Sequence, residues 1–151
     1  MQHIKFMKEA IKEAEKSFKK DEVPVGAVLV YENKIIATAH NLIRTKKDPA
    51  AHAEILAIRK AAKKLNNERL IDASLYVTIE PCAMCAGAII LARIKNLIFG
   101  AKDQKTGACG SVFDVISNKK NNHKVNVISG IMENECAEIM KKFFKNKRNR
   151  Q

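Results

Sequence analysis

The sequence contains no apolar stretch long enough to cross a membrane. Its longest apolar runs, VGAVLVY and AGAIILA, are far shorter than the ~20 residues of a transmembrane helix. The N-terminal stretch MQHIKFMKEAIKEAEKSFKK also lacks the uncharged centre of a signal peptide, because charged residues occur in every turn. It reads instead as an amphipathic helix. These absences predict a soluble, cytoplasmic protein.

Cysteine is scarce as well, with 4 in a chain of 151 residues. Without a secretion signal, so few cysteines do not indicate the disulfide scaffold of a small secreted domain. Cys82 and Cys85 form a C-x-x-C pair, whereas Cys109 and Cys136 stand alone. A redox function for the pair would require a thioredoxin-like context. Cys136 is most simply a buried small side chain, and Cys109 is an alternative fourth ligand for a metal site.

Acidic residues are too few to balance the basic ones: 16 Asp and Glu face 28 Lys and Arg, which gives a formal net charge of +12. The pI is about 9.7. An excess of this size indicates a polyanionic partner such as a nucleic acid. The alternative is that the charge only keeps the protein soluble.

The length and the 46% hydrophobic content predict a single domain over residues 1–151. Strands that alternate with helices after an initial hairpin predict an α/β layered fold with a mixed sheet. The predicted elements are a helix at 3–20, a hairpin in 23–40, a loop at 41–49, a helix that opens at Asp48–Pro49, a strand at 74–80, a helix at 82–93, strands at 96–102 and 125–130, and a basic C-terminal helix at 134–151.

Two predicted helices begin with side chains that can bind a metal: His52 in one, Cys82 and Cys85 in the other. Two thiolates and an imidazole suit zinc, and three protein ligands leave the fourth position open for a catalytic water. Zinc lowers the pKa of such a water from about 15.7 to about 7. Glu54 could then move protons. Because residues two apart on a helix body point to nearly opposite sides, His52 and Glu54 can address one ion only if it lies beyond the helix end.

The combination H-A-E, 26 further residues and P-C-A-M-C matches the signature of zinc nucleobase deaminases. This motif alone indicates only the superfamily of cytidine deaminases. The flanking strings EVPVGAVLV, LIDASLYVTIEPCAMCAGAI and FGAKDQKTGACGS indicate one family within it. Over nearly its whole length, the chain resembles the bacterial tRNA-specific adenosine deaminases. The resemblance implies a three-layer αβα fold with a mixed five-stranded sheet. It also implies one Zn²⁺ per subunit, a homodimer, and hydrolytic deamination of adenosine to inosine at the wobble position of an arginine tRNA.

Roles follow from the matching positions. His52, Cys82 and Cys85 match the zinc ligands, and Glu54 matches the proton shuttle. In the implied reaction, zinc hydroxide attacks C6 of adenine while Glu54 carries a proton to N1.

The resemblance further implies that Asn41 holds the target nucleotide, that Asp103 lies on the wall of the RNA site, and that Phe144 contacts the anticodon loop. The substrate loop departs from the commoner family pattern, because Leu42 and Ile43 occupy a stretch where Pro often follows Asn.

Each substrate residue also has a structural interpretation. The alternative for Asn41 is a turn residue, and the alternative for Asp103 is a residue that only shapes its loop. For the tail KKFFKNKRNRQ, the alternative to an RNA surface is a solvated helix end. Two other functions share the zinc motif. One is a deaminase of a free base or nucleotide, such as guanine or deoxycytidylate. The other is a noncatalytic zinc module that binds RNA or pairs with an active subunit.

Overall fold

The computed structural model describes residues 2–150. Its elements are α1 (Gln2–Lys19), β1 (Gly26–Tyr31), β2 (Lys34–His40), α2 (Ile43–Lys46), α3 (Ala53–Leu65), β3 (Ser74–Ile79), α4 (Ala83–Leu91), β4 (Asn96–Ala101), β5 (Asn126–Ile128) and α5 (Glu133–Asn149).

The five strands form one mixed sheet in the order β2-β1-β3-β4-β5. β1 is antiparallel to both β2 and β3, whereas β3, β4 and β5 run parallel to one another. The turn between β1 and β2 has positive φ angles at Glu32 (50°) and Asn33 (65°). Such angles are typical of the two-residue turns that match the twist of a hairpin. The predicted hairpin and mixed α/β sheet are confirmed.

Alternating strand residues bury side chains on both faces of the sheet. Leu29, Leu75 and Leu97 pack with α3 and α4, whereas Val28 and Ile98 pack with α1 and α5. Successive residues of a strand point to opposite faces, so strands buried on both sides read as nearly continuous apolar runs. The two helical layers around the sheet confirm the three-layer αβα prediction.

The segment before α3 differs from the prediction. Residues 43–46 of the expected loop form α2, and α3 begins at Ala53 rather than at Asp48–Pro49. The Asp48 side chain accepts a hydrogen bond from the Ala50 amide (2.9 Å), which closes a turn instead of capping a helix. The same side-chain-to-backbone hydrogen bond occurs in turns and at helix starts. The predicted helix start at Asp48–Pro49 is therefore wrong.

The C-terminal helix spans Glu133–Asn149 instead of residues 134–151, and Gln151 lies outside the described residues. Between β4 and β5 the chain forms turns with one isolated bridge, between Cys109 and Asp114. Within residues 2–150, no helix is both long and apolar enough to span a bilayer.

Candidate metal centre and active site

Two helix N-termini meet at one point, and each supplies potential metal ligands. His52 is the N-cap residue of α3 (φ −72°, ψ 151°), and Cys82 is the N-cap residue of α4 (φ −76°, ψ 178°). Their extended backbone lets both side chains lie beyond the helix ends. Cys85 joins them from the first turn of α4. Nδ1 of His52 lies 3.7 Å from Sγ of Cys82 and 3.5 Å from Sγ of Cys85.

The spacing of these three donors fits zinc. One ligand atom from each of His52, Cys82 and Cys85 lies within 4.8 Å of the others. In a tetrahedral site with Zn–N near 2.0 Å and Zn–S near 2.3 Å, nitrogen and sulfur are roughly 3.5 Å apart. The observed N–S distances of 3.5 and 3.7 Å agree with that geometry. The group is therefore compatible with zinc, as the sequence predicts.

The two thiols are electrostatically unequal. A hydrogen bond from Cys85, and a weaker contribution from His52, lowers the pKa of Cys82 to about 4 although burial opposes the change. The same bond to Cys82, together with burial, raises the pKa of Cys85. Cys82 is thus ready to bind a cation as a thiolate, and the Cys85 proton must leave when a metal is bound.

Glu54 lies beside the donors in the first turn of α3. Its side chain is only 3% exposed, and burial raises the pKa of its carboxyl group. Because His52 is the N-cap and Glu54 is only two residues further on, both face the space in front of the helix end. Residues two apart would diverge on a helix body, but these two side chains lie at the helix end and can both approach one ion there.

A cavity of about 170 Å³ opens in front of the two helix ends. It is smaller than the roughly 300–1,000 Å³ clefts that hold drug-sized ligands, so it suits one small ring system. Its walls include five of the seven predicted site residues, namely Asn41, His52, Glu54, Cys82 and Asp103.

The Asn41 side chain forms two hydrogen bonds with backbone groups near its own loop. Its Nδ2 donates to the Val23 carbonyl (3.1 Å), and its Oδ1 accepts from the Ile43 amide (3.3 Å). An amide group has two N–H donors and two acceptor positions, so one of each remains. Asn41 therefore forms hydrogen bonds that hold its own turn, and it also lines the cavity.

Asp103 also shapes the loop in which it lies. Its carboxylate accepts hydrogen bonds from the amides of Lys105 (2.9 Å) and Thr106 (3.1 Å), and from the Thr106 hydroxyl (2.9 Å). Asp103 therefore has the loop-shaping role that its sequence context predicts as the alternative to a substrate role.

Phe144 lies outside the active-site cavity. Its side chain is 43% exposed and lines a neighbouring cavity of about 290 Å³, which we term the flanking cavity. Val23, Asn41 and Ile43 line both cavities, so the flanking cavity lies directly beside the active-site cavity. Phe144 therefore lines the space beside the active-site cavity rather than the active-site cavity itself.

Glu80 organises one wall of the site and was missed by the sequence analysis. This buried carboxylate accepts hydrogen bonds from the amides of Asp103 (3.1 Å), Cys109 (2.9 Å) and Ser111 (3.1 Å), and from the Ser111 hydroxyl. A Cβ at Gly107 would lie 2.5 Å from this carboxyl group, so only glycine fits there. The available signal was a charged residue at the end of the apolar run SLYVTI, because a buried charge must find donors.

The single cysteines stand apart from the donor group. Burial raises the pKa of both Cys109 and Cys136 to about 12. Cys136 is 1% exposed, which confirms it as a buried small side chain. Among residues 2–150, the candidate metal-binding group contains His52, Cys82 and Cys85 but not Cys109.

The fold and the site together define an enzyme of the cytidine deaminase type: a mixed sheet carries H-A-E and P-C-A-M-C on two helix ends that face one cavity. The model of the MafB19-like deaminase family matches residues 1–148. The tRNA-specific adenosine deaminase of Bacillus subtilis (strain 168) is 49% identical over 140 residues, which cover 93% of this chain and 87% of that protein. The chain belongs to the MafB19-like deaminase family, and its curated relatives at this identity place it among the tRNA-specific adenosine deaminases.

Two solved structures show how the fold is shared. A structure from a study of tRNA:A34 deaminases that edit the wobble position of transfer RNA has a TM-score of 0.86 and 48% identity, and covers 89% of this chain and 97% of its own. The guanine deaminase of Nitrosomonas europaea has a TM-score of 0.80 at 21% identity, and covers 91% of this chain and 82% of its own. At 21% identity, the similarity to the guanine deaminase shows only a shared fold.

Proposed function

We propose that this protein is a zinc-dependent, single-domain deaminase that converts adenosine to inosine at the wobble position of a tRNA anticodon in the cytoplasm. The observation that carries the proposal is the grouping of the His52, Cys82 and Cys85 donor atoms at the wall of a small cavity that the buried Glu54 also lines. The tRNA substrate follows the printed names of the relatives, and the wobble position follows the solved tRNA:A34 deaminase. An arginine tRNA is the substrate that the family resemblance implies.

His52, Cys82 and Cys85 hold the zinc ion in this proposal. Bound zinc supplies Lewis-acid activation of a water molecule at neutral pH. Glu54 takes a proton from that water and delivers it to N1 of the adenine, and C6 exchanges its amino group for oxygen. Adenosine and water thus give inosine and ammonia. A positioned acid–base group of this kind contributes about 10²- to 10⁴-fold to a rate.

Three further residues bind the RNA. Asn41 uses its remaining amide donor and acceptor to hold the target nucleotide, and Asp103 forms part of the cavity wall. Phe144, in the flanking cavity, contacts the anticodon loop, where an exposed aromatic ring can stack on an unpaired base.

The test is to incubate wild type and Glu54→Ala with an anticodon stem-loop and, separately, with free adenosine, cytidine and guanine. We expect inosine in the stem-loop with the wild type, no inosine with the variant, and equal zinc in both proteins. Substantial activity of Glu54→Ala would exclude it as the proton carrier. Turnover of a free compound alone would favour a free-base deaminase, and a shell of four protein ligands without activity would favour a noncatalytic zinc module.

We also propose that the protein is a homodimer that associates through α4. Ala83–Leu91 contains no charged residue, and Leu91 is 77% exposed. Met84, Gly87, Ala88 and Leu91 share one face of the helix, because residues three and four apart are neighbours. Two copies that each carry a formal charge of +12 repel each other elsewhere. An uncharged face is therefore the surface that a second copy can cover.

A further inference from the structure

Asp21 lies at the centre of a cluster of three cations from two distant parts of the chain. Its carboxylate contacts Nη1 of Arg44 (2.9 Å), Nζ of Lys147 (3.3 Å) and Nη2 of Arg150 (3.3 Å). Arg44 belongs to α2, whereas Lys147 lies in the last turn of α5 and Arg150 is the C-cap residue of that helix. One carboxylate thus links the substrate loop to the C-terminal helix.

The backbone of Asp21 is held in place by the end of α1. Its amide donates to the Phe18 carbonyl (3.1 Å), and the next amide, of Glu22, donates to the Ser17 carbonyl (2.9 Å). The Phe18 ring packs edge-on against Phe143 of α5, with centroids 5.6 Å apart. The carboxylate is therefore a fixed point to which the longer cationic side chains attach.

The cluster lies at the flanking cavity, beside the active site. Asp21, Arg44 and Lys147 line that cavity together with Phe144. Three cations surround Asp21, and Glu22 is a second carboxylate that lines the cavity, so an excess of positive charge remains. Arg44 and Arg150 stay 62% and 60% exposed, which leaves guanidinium donors free for another anion.

We propose that Asp21 is a positioning residue: it holds Arg44, Lys147 and Arg150 at the mouth of the flanking cavity, where they bind backbone phosphates of the RNA next to the reacting adenosine. The inference rests on the proposed function and deepens it. Long cationic side chains lose rotamer freedom when they bind a ligand, and a partner that orders them beforehand removes part of that cost.

The sign of the effect distinguishes this role from a simple charge effect. A carboxylate near RNA repels phosphate, so its removal should strengthen binding and steepen the salt dependence if charge were all that mattered. If Asp21 positions the cations, its removal weakens binding and flattens the salt dependence, because each lost phosphate contact on a single strand reduces the slope by about 0.7.

The experiment compares Asp21→Asn with Asp72→Asn on an anticodon stem-loop, using the zinc-loaded full chain. The two positions are matched: both aspartates have positive φ (60° and 67°), a conformation that Asn tolerates well. For Asp21→Asn we expect a roughly three- to ten-fold rise in KM, an unchanged kcat, a flatter dependence of log KM on log salt, and an unchanged melting temperature. Asp72→Asn should match the wild type in all four measurements.

A second readout uses stem-loops with a single neutral methylphosphonate in place of one phosphate near the target adenosine. Wild type should lose affinity at one or more of these positions, and Asp21→Asn should lose less there. An unchanged or lower KM for Asp21→Asn, with an active wild type, overturns this inference alone. A wild type that neither deaminates nor binds the stem-loop overturns the proposed function as well.

Discussion

Two buried carboxylates, Glu22 and Glu80, hold the loops on either side of the active-site cavity. Glu22 accepts hydrogen bonds from the amides of Arg44 (3.1 Å) and Thr45 (2.6 Å), and from the Thr45 hydroxyl (2.7 Å). Glu80 does the same for the loop after β4. Neither carboxylate is a candidate for the chemistry, yet each fixes a segment that lines the site.

Glu22 should make stability depend on pH. Burial works to raise its pKa, but the hydrogen bonds from Thr45 and Arg44 outweigh burial and lower the pKa of Glu22 below its ordinary 4.5. The carboxylate therefore stabilises the fold above about pH 4.5, and this contribution is lost as the pH falls through the folded-state pKa. We expect Glu22→Gln to reduce the free energy of unfolding by about 1–3 kcal/mol at pH 7, because the amide of Gln turns a donor towards other donors.

Urea denaturation of both proteins between pH 7 and pH 3 measures this effect. Other titrating groups cancel in the difference between variant and wild type, which should shrink below pH 4.5. A difference that stays constant with pH would contradict the assignment.

The proposed catalytic set was the part of the site most accessible from sequence. His52, Glu54, Cys82 and Cys85 form two short motifs, and helix N-termini are places where such side chains converge. The partners of Asp21 and Glu22 are different, since they are 22 to 129 residues away in the chain. In a strongly basic sequence, nothing local distinguishes an acid that orders a loop from one that is merely solvated.

Among the elements, α5 has two faces with separate roles. Phe143 is 3% exposed and packs against Phe18, whereas its neighbour Phe144 faces the flanking cavity. The six basic residues from Lys141 to Arg150 surround this pair. The helix is therefore anchored by one ring, and its outer surface is the one that the proposed function assigns to RNA.

The adjacent rings provide a matched pair of variants. We expect Phe143→Ala to lower the free energy of unfolding by about 3–5 kcal/mol, because it leaves a cavity in the core. Phe144→Ala should cost less than about 1 kcal/mol in stability but weaken stem-loop binding by about 1–3 kcal/mol, since a stacking surface is lost. Chemical denaturation and fluorescence anisotropy measure the two quantities. The assignment of the faces is wrong if both variants lose stability equally.

Element types were predicted well, and the errors lie in the segment between β2 and α3. Periodicity identifies α1, α3 and α5 because their buried residues recur along one face. The four-residue α2 is too short to show a period, and its first turn depends on Glu22, which lies far back in the chain. An aspartate at position 48 correctly predicts a hydrogen bond from its side chain to the backbone. The same residue type does not distinguish a turn from a helix start.

At the scale of the whole molecule, charge is distributed so that one helix face remains neutral. The net charge of +12 favours RNA and opposes self-association, whereas the exposed face of α4 carries no charge. These two properties together favour an assembly in which α4 pairs with α4 and the basic surfaces face outwards.

We expect Leu91→Glu to convert the proposed dimer to a monomer. Leu91 is largely solvent-exposed in one protomer, so the change should alter the stability of the monomer by less than about 0.5 kcal/mol. Ile4→Glu, an exposed apolar position on α1 across the sheet, serves as the control and should remain dimeric. Sedimentation velocity distinguishes the two species. A wild type that sediments as a monomer would exclude the interface.

The small size of the active-site cavity sets a condition on any nucleic acid substrate. In the proposed function, this space of about 170 Å³ between two helix ends receives one base without its paired partner or its stacked neighbours. The reacting nucleotide must therefore leave its base stack before the reaction begins. The free energy of unstacking then adds to the activation barrier. Hairpins whose loops unstack readily should be edited faster than hairpins of the same sequence held in a rigid, continuous stack.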